Sequence, residues 1–170
     1  HGAPARHGRR AHAGTLSFEL SAGKERLIVN CGPWHGADAT WRKALRATAA
    51  HATLTVNDTN SCELFDDGSI GVGPGQIAGW REDQEGAVWL DASHDGYREP
   101  FGLIHQRRLY VSPDGANVRG EDSLTRAVGG NRGGRSFTLR FHLHPDVQAS
   151  LVQDGASVLL RSLILISEPT

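Results

Sequence analysis

The segment from Ser136 to His144 constrains this chain most, because Phe137, Leu139, Phe141 and Leu143 alternate strictly with Thr138, Arg140, His142 and His144. Period-two alternation belongs to a strand with one apolar and one polar face, whereas a helix would scatter those four apolar residues around its axis. Pro145 then breaks the strand, because it has no N–H to give a ladder. The same period recurs at Leu16, Phe18 and Leu20, set against Thr15, Ser17, Glu19 and Ser21. Ser21 to Glu25 supply turn chemistry with Gly23 free to take positive φ, and Leu27-Ile28-Val29 follows as a second strand closed by Cys31-Gly32-Pro33. Residues 15–29 therefore read as a hairpin.

Further strands are expected over Ala87–Ser93 and from Phe101 to Val111. In the second, Leu103, His105, Arg107, Leu109 and Val111 share one face, and Ile104, Gln106, Arg108 and Tyr110 share the other. Neither face is cleanly apolar, which suits a sheet packed on one side and open to a groove or solvent on the other. Ser112-Pro-Asp-Gly115 is a strong turn signal, with Asn117–Gly120 pairing back as a short strand. Gln153-Asp-Gly-Ala156 turns the chain before a strand over Val158–Leu160. Asp38-Ala39-Thr40 offers capping side chains to a short helix in which Trp41, Leu45 and Thr48 recur at helical spacing. Residues 57–86 read as loop. Their Gly71-Val-Gly-Pro-Gly75 run lacks the Lys-Ser/Thr that follows a phosphate loop. The fold class these segments imply is all-β: an antiparallel β-sandwich of stacked sheets with one short helix.

The 170 residues make one domain, and 21 glycines with seven prolines fit its many turns. A net charge of −1 selects neither nucleic acid nor an anionic membrane surface. No apolar run approaches the ~20 residues that span a bilayer. Two cysteines, Cys31 and Cys62, are too few for a disulfide framework. Residues 1–9 form a poorly defined basic segment without the apolar core of a signal peptide. Residues 162–170, Ser-Leu-Ile-Leu-Ile-Ser-Glu-Pro-Thr, resemble a translated sequencing adapter, and no methionine occurs anywhere. The expectation is a fragment with a domain over 10–161 and a non-native tail beyond it.

Several stretches carry a family resemblance. Arg10 to Gly32, Thr48-Ala-Ala-His51-Ala-Thr-Leu-Thr-Val56, Ala92-Ser-His-Asp-Gly-Tyr97, Phe101-Gly-Leu-Ile-His105, Gly120-Glu-Asp122 and Arg140-Phe-His-Leu-His-Pro145 resemble, in order, landmarks of the C-terminal β-domain of the heparinase II/III-like family. The resemblance implies a β-sandwich that follows an N-terminal helical toroid, absent here. It also implies a bacterial lyase of the periplasm or cell envelope, which cleaves acidic, uronic-acid-containing polysaccharide by β-elimination. In such lyases most catalytic groups sit on the toroid, and the β-domain adds a His-x-His motif whose first histidine is catalytic in some members. The second histidine, an aspartate after the next strand and a later histidine bind a structural zinc. On this sequence the motif falls on Arg10-Ala11-His12, the aspartate on Asn30 and the last ligand on His51.

Arg10 at the catalytic-histidine position cannot act as a base near neutral pH, although it can pair bidentately with a uronate carboxylate. Asn30 removes the anionic oxygen that favours a zinc site. His12, Asn30 and His51 are therefore either a weakened metal site or a hydrogen-bonded structural cluster, and in both readings the three should lie together. Elsewhere, His94 beside Asp95 is an oriented imidazole or a turn stabiliser. His142 and His144 are a metal pair or a polar sheet face, and Arg107, Arg108, Arg132, Arg135 and Arg140 are a cationic track or a solvated surface. Two functions follow: the β-domain of a polysaccharide lyase, or a non-catalytic carbohydrate-binding or structural β-sandwich.

Overall fold

A computed structural model of the chain describes residues 11–128 and 135–162. The elements run β1 (Leu20–Ala22), β2 (Glu25–Ile28), α1 (Ala39–Arg46), β3 (Leu54–Val56), β4 (Ile77–Gln84) and β5 (Ala87–His94). They continue with a single helical turn α2 (Arg98–Phe101), β6 (Leu103–Val111), β7 (Val118–Arg126), β8 (Phe137–Leu139), β9 (Val147–Val152) and β10 (Ser157–Ser162). All pairings are antiparallel, and the largest sheet is the four-stranded meander β4-β5-β6-β7. The architecture is the all-β sandwich expected from the alternating segments, with α1 as its one real helix. Asp38 caps α1 through Oδ1, which accepts from the Thr40 and Trp41 amides at 2.8 and 3.4 Å.

Beside shifted bounds (β6 starts at Leu103 rather than Phe101, and β7 runs on to Arg126 rather than ending at Gly120), local chemistry departs from the sequence expectation in three places. The first hairpin forms around Gly23 at φ +61°, but its leading strand starts at Leu20 rather than Thr15. Thr15 and Leu16 make a turn, with Leu16 in the left-handed region at φ 58°. Their carbonyls are taken by side chains instead of a ladder: Thr53 Oγ1 donates to Thr15 at 3.0 Å and Arg107 Nη1 to Leu16 at 2.7 Å. Second, part of the expected loop over 57–86 is the eight-residue strand β4. It is an edge strand exposed along its whole length, so burial left no apolar alternation to read, and Glu85-Gly86 turns it into β5 with positive φ at both residues. Third, the alternating segment from Phe137 serves two partners. β8 pairs with β3, then the chain leaves that ladder and bridges β2, with the Val29 amide donating to His142 O at 2.9 Å and the His144 amide to Leu27 O at 3.0 Å.

The core lies where β3 meets the start of β6. Leu54, Val56, Tyr97 and Leu103 form it, with Phe101 and Leu124 packed against them. Tyr97 is fully buried, and its hydroxyl donates to the Leu54 carbonyl at 2.8 Å, so its ring fills the core without stranding a polar atom. The alternating residues Phe137, Leu139 and Phe141 line a cleft of about 350 Å³ between the layers, together with Phe18, Leu20 and Leu109.

Candidate functional site

The inward face of the meander carries polar residues at positions that strand alternation would otherwise give to hydrophobes. His94 on β5 sits opposite His105 on β6, and Arg107, two residues on, sits opposite Asp122 on β7. The resulting chain of hydrogen bonds has one polarity. The Gly96 amide can only donate, so His94 Nδ1 accepts from it at 3.1 Å, and His94 Nε2 carries the proton. His94 Nε2 then donates to His105 Nδ1 at 3.2 Å, and His105 Nε2 donates to Asp122 Oδ1 at 2.7 Å. Arg107 closes the network as a fork, Nε to Oδ1 at 2.8 Å and Nη2 to Oδ2 at 3.0 Å. Its Nη1 donates to both Leu16 O and Ala52 O at 2.7 Å, tying the meander to the opposite layer.

These groups are dry: His94, His105 and Arg107 are 1%, 0% and 4% exposed. Burial, and after it the neighbouring His105, push the His94 imidazole down to about 4, while Asp95 pulls the other way. Burial also opposes ionisation of Asp122, yet hydrogen bonds from His105 and Arg107 and the charge of Arg107 outweigh it and hold the carboxyl below its usual range. The arrangement orients imidazoles well, but the proton of each is directed at another side chain of the network. It supports the fold, and of its members only Arg107 and Asp122 border the cleft lined by Phe137, Leu139 and Phe141.

The end of the first hairpin holds the residues expected to gather. His12 and His51 do: their ring centroids are 5.1 Å apart. Asn30 lies beside them, with Oδ1 accepting from the Ala52 amide at 3.0 Å. Its Nδ2 donates to Glu19 Oε1 at 3.3 Å, and its own amide reaches the same oxygen at 3.0 Å. Arg10 lies outside the described residues. Burial lowers the pKa of both histidines, helped at His12 by the charge of Arg46 and at His51 by those of His12 and His142.

This donor set does not fit the zinc that the family resemblance implies. His51 Nδ1 is buried without a hydrogen-bond partner and would suit a metal, but it lacks company. His12 Nδ1 gives its proton to Leu45 O at 3.1 Å, leaving one nitrogen, and both ends of the Asn30 amide are in use. Among the described residues no three His, Cys, Asp or Glu side chains are grouped to hold a metal ion. Asn30 instead does by hydrogen bonding what a ligand would do by coordination, linking β2 to the chain entering β3. Restoring the carboxylate as Asn30→Asp should lower stability by about 1–2 kcal/mol, because it sets a second anion against Glu19 and removes a donor. Thermal unfolding with and without added zinc checks this; the expected midpoint falls, and zinc does not bring it back.

The other sequence candidates disperse. His94 and Asp95 do not pair: Asp95 Oδ1 accepts from the Gln76 amide at 2.9 Å. His142 Nε2 donates to Ala49 O at 2.9 Å, whereas His144 meets Arg26 at 2.8 Å. Arg107 and Arg108 fall on opposite faces of β6, Arg140 reaches Thr55 and Asp58, Arg135 stacks over Phe101, and Arg132 lies outside the described residues. Among the described residues these arginines assemble no single cationic track. Asp122 was visible in the sequence only as part of the Gly120-Glu-Asp122 landmark; its place on β7 directly opposite Arg107 of β6 is a finding of the structure. What sequence reading missed altogether is the outer face of the meander, which carries Trp80, Trp89 and Tyr110, the last two with rings in contact.

An antiparallel sandwich stitched by a buried His-His-Asp-Arg network, with His12 and His51 together beside the first hairpin, defines an all-β domain. The chain belongs to the family described as heparinase II/III-like, C-terminal, which it matches over residues 1–166. It is 38% identical over 164 residues to FtsZ-localized protein C of Caulobacter vibrioides (strain NA1000 / CB15N), a match covering 89% of this chain. The chain spans about 28% of that relative's length. No solved structure matches it. No helix among the described residues is long and apolar enough to cross a membrane.

Proposed function

We propose that this domain is a non-catalytic, carbohydrate-binding β-sandwich of a larger heparinase II/III-like protein. The observation that carries the reading is the His94–His105–Asp122–Arg107 network: the best-oriented titratable groups of the domain are buried and consumed by one another. β-elimination needs a base and an acid that reach the sugar, and a cation facing the uronate carboxylate. Arg107, otherwise suited to that last task, is directed inward. In this reading any cleavage of acidic polysaccharide is the work of a helical toroid elsewhere in the parent protein, in the periplasm or cell envelope. Incubating the purified chain with heparan sulfate or alginate should yield no rise in the ultraviolet absorbance of unsaturated uronates. Sustained turnover would reject the non-catalytic assignment.

The 38% identity to FtsZ-localized protein C favours a second reading on another level, that the parent protein localises with FtsZ. A fluorescent fusion of the full-length parent, imaged beside labelled FtsZ, tests it: coincident signal is expected, and a diffuse signal that ignores FtsZ would count against it.

A further inference from the structure

We infer that the outer face of the meander is a binding strip for a neutral, extended glycan chain. Strand register places Trp80, Trp89 and Tyr110 on this face, opposite in direction to His94, His105 and Arg107. Trp89 and Tyr110 are direct cross-strand partners with ring centroids 4.4 Å apart. Trp80 pairs with Asp91, two residues along from Trp89, so the three aromatic residues share one face over three neighbouring strands. Trp80 is 54% exposed and Trp89 45%, well beyond what packing of the domain itself would leave for large rings.

The polar groups between the rings identify the ligand. Asp91 is held from both sides, by Gln106 Nε2 at 2.8 Å and Arg108 Nε at 2.9 Å, so a cluster of acceptors and donors is fixed on the same face as the rings. Arg119 lies over the Tyr110 ring at 5.7 Å and extends the strip onto β7. Pyranose rings offer apolar C–H faces to aromatics and hydroxyls at their edges to such side chains, which is the chemistry displayed here. The central strip carries rings but no aliphatic side chain, unlike the mixed apolar core of a protein interface. Its charge also selects. Arg108 is neutralised by Asp91, and Glu82 and Glu121 stand opposite Trp89 and Arg108, so no positive field is left for a polyuronate. The face therefore suits an uncharged chain that lays one sugar on the packed Trp89–Tyr110 pair and another on Trp80.

This inference rests on the carbohydrate-binding reading, and it is tested apart from the turnover assay. The purified chain is titrated with cellohexaose, N-acetylchitohexaose and an alginate hexamer, with binding followed by calorimetry. One of the two neutral hexamers should bind, and Trp89→Ala should weaken it about tenfold, the scale of one lost ring contact. Trp80→Ala should act in the same direction, and Trp34→Ala, away from the sheet, should leave binding unchanged. Unfolding midpoints of the variants confirm that each is folded. Neutral-glycan binding that ignores Trp80 and Trp89 would overturn the strip while leaving the carbohydrate-binding reading intact. Binding of the alginate hexamer alone would overturn the neutral class. Failure of every hexamer to bind overturns the inference, as does concentration-dependent self-association abolished by Trp89→Ala, which would make this face an interface between copies.

Discussion

Asp122→Asn is expected to destabilise the domain by about 3–5 kcal/mol, the largest effect of any single substitution discussed for this chain. The cause is the charge it strands. Arg107 is 4% exposed and donates to Asp122 through both Nε and Nη2, so a neutral amide leaves a buried guanidinium without its counterion. His105 loses the anionic end of its hydrogen bond at the same time. Arg107→Met should also cost several kcal/mol, because Leu16 O and Ala52 O lose their donor. The two changes together should cost clearly less than their sum, since the stranded charge disappears with its partner. Urea unfolding of the two single variants and the double variant gives the coupling directly. An additive cycle would show that the pair is not a unit.

Stability should also fall steeply on mild acidification, by about 3 kcal/mol from His94 alone. Its imidazole titrates near 4 in the fold against 6.5 in the unfolded chain. Between those values the unfolded chain binds a proton that the folded chain refuses, so unfolding becomes easier as pH drops through that window and harder as it rises. Once protonated, His94 could no longer accept from the Gly96 amide, and it would face His105 as a cation in a dry sheet. His12 and His51, also lowered, act with the same sign. Asp122 adds its own loss only further down, as pH falls below the ordinary carboxylate value of 3.8. Denaturation midpoints at several pH values between 7 and 4 test this. The slope should be clearly shallower in His94→Gln, and an unchanged slope would remove His94 from the explanation.

Much of the architecture could be read from residues whose neighbours in sequence are also their neighbours in the fold. Gly23 announces its hairpin, Asp38 caps its helix, and the alternation from Leu103 to Val111 is a strand, shorter at its start than the Phe101–Val111 span read from the sequence. Edge strand β4 was hidden because exposure on both faces removes the apolar period. The turn at Thr15-Leu16 was hidden for a different reason: its carbonyls are bound by Thr53 and Arg107, residues far along the chain. The meeting of His12 with His51 follows from hairpin geometry, but the fate of Asn30 depends on Glu19 and Ala52 and needed coordinates. Arg107 and Arg108 illustrate the limit well. A cluster of arginines in sequence suggests a surface charge, yet strand alternation sends one of these neighbours into the core and the other to solvent.

The segment that begins at Phe137 fixes an order of assembly. The meander joins strands that are adjacent in sequence, so it can form as soon as it is synthesised. The opposite layer cannot, because β3 waits for β8, and a contact such as Arg140 to Thr55 closes a separation of 85 residues. Until that late segment emerges, the apolar residues of β3 have no strand beside them. A chain stalled before Ser136 would present β3 as an open edge, the state in which sandwich proteins are most exposed to pairing with a stranger. The segment from Ser136 onward is thus the latch that turns an open meander into a closed domain.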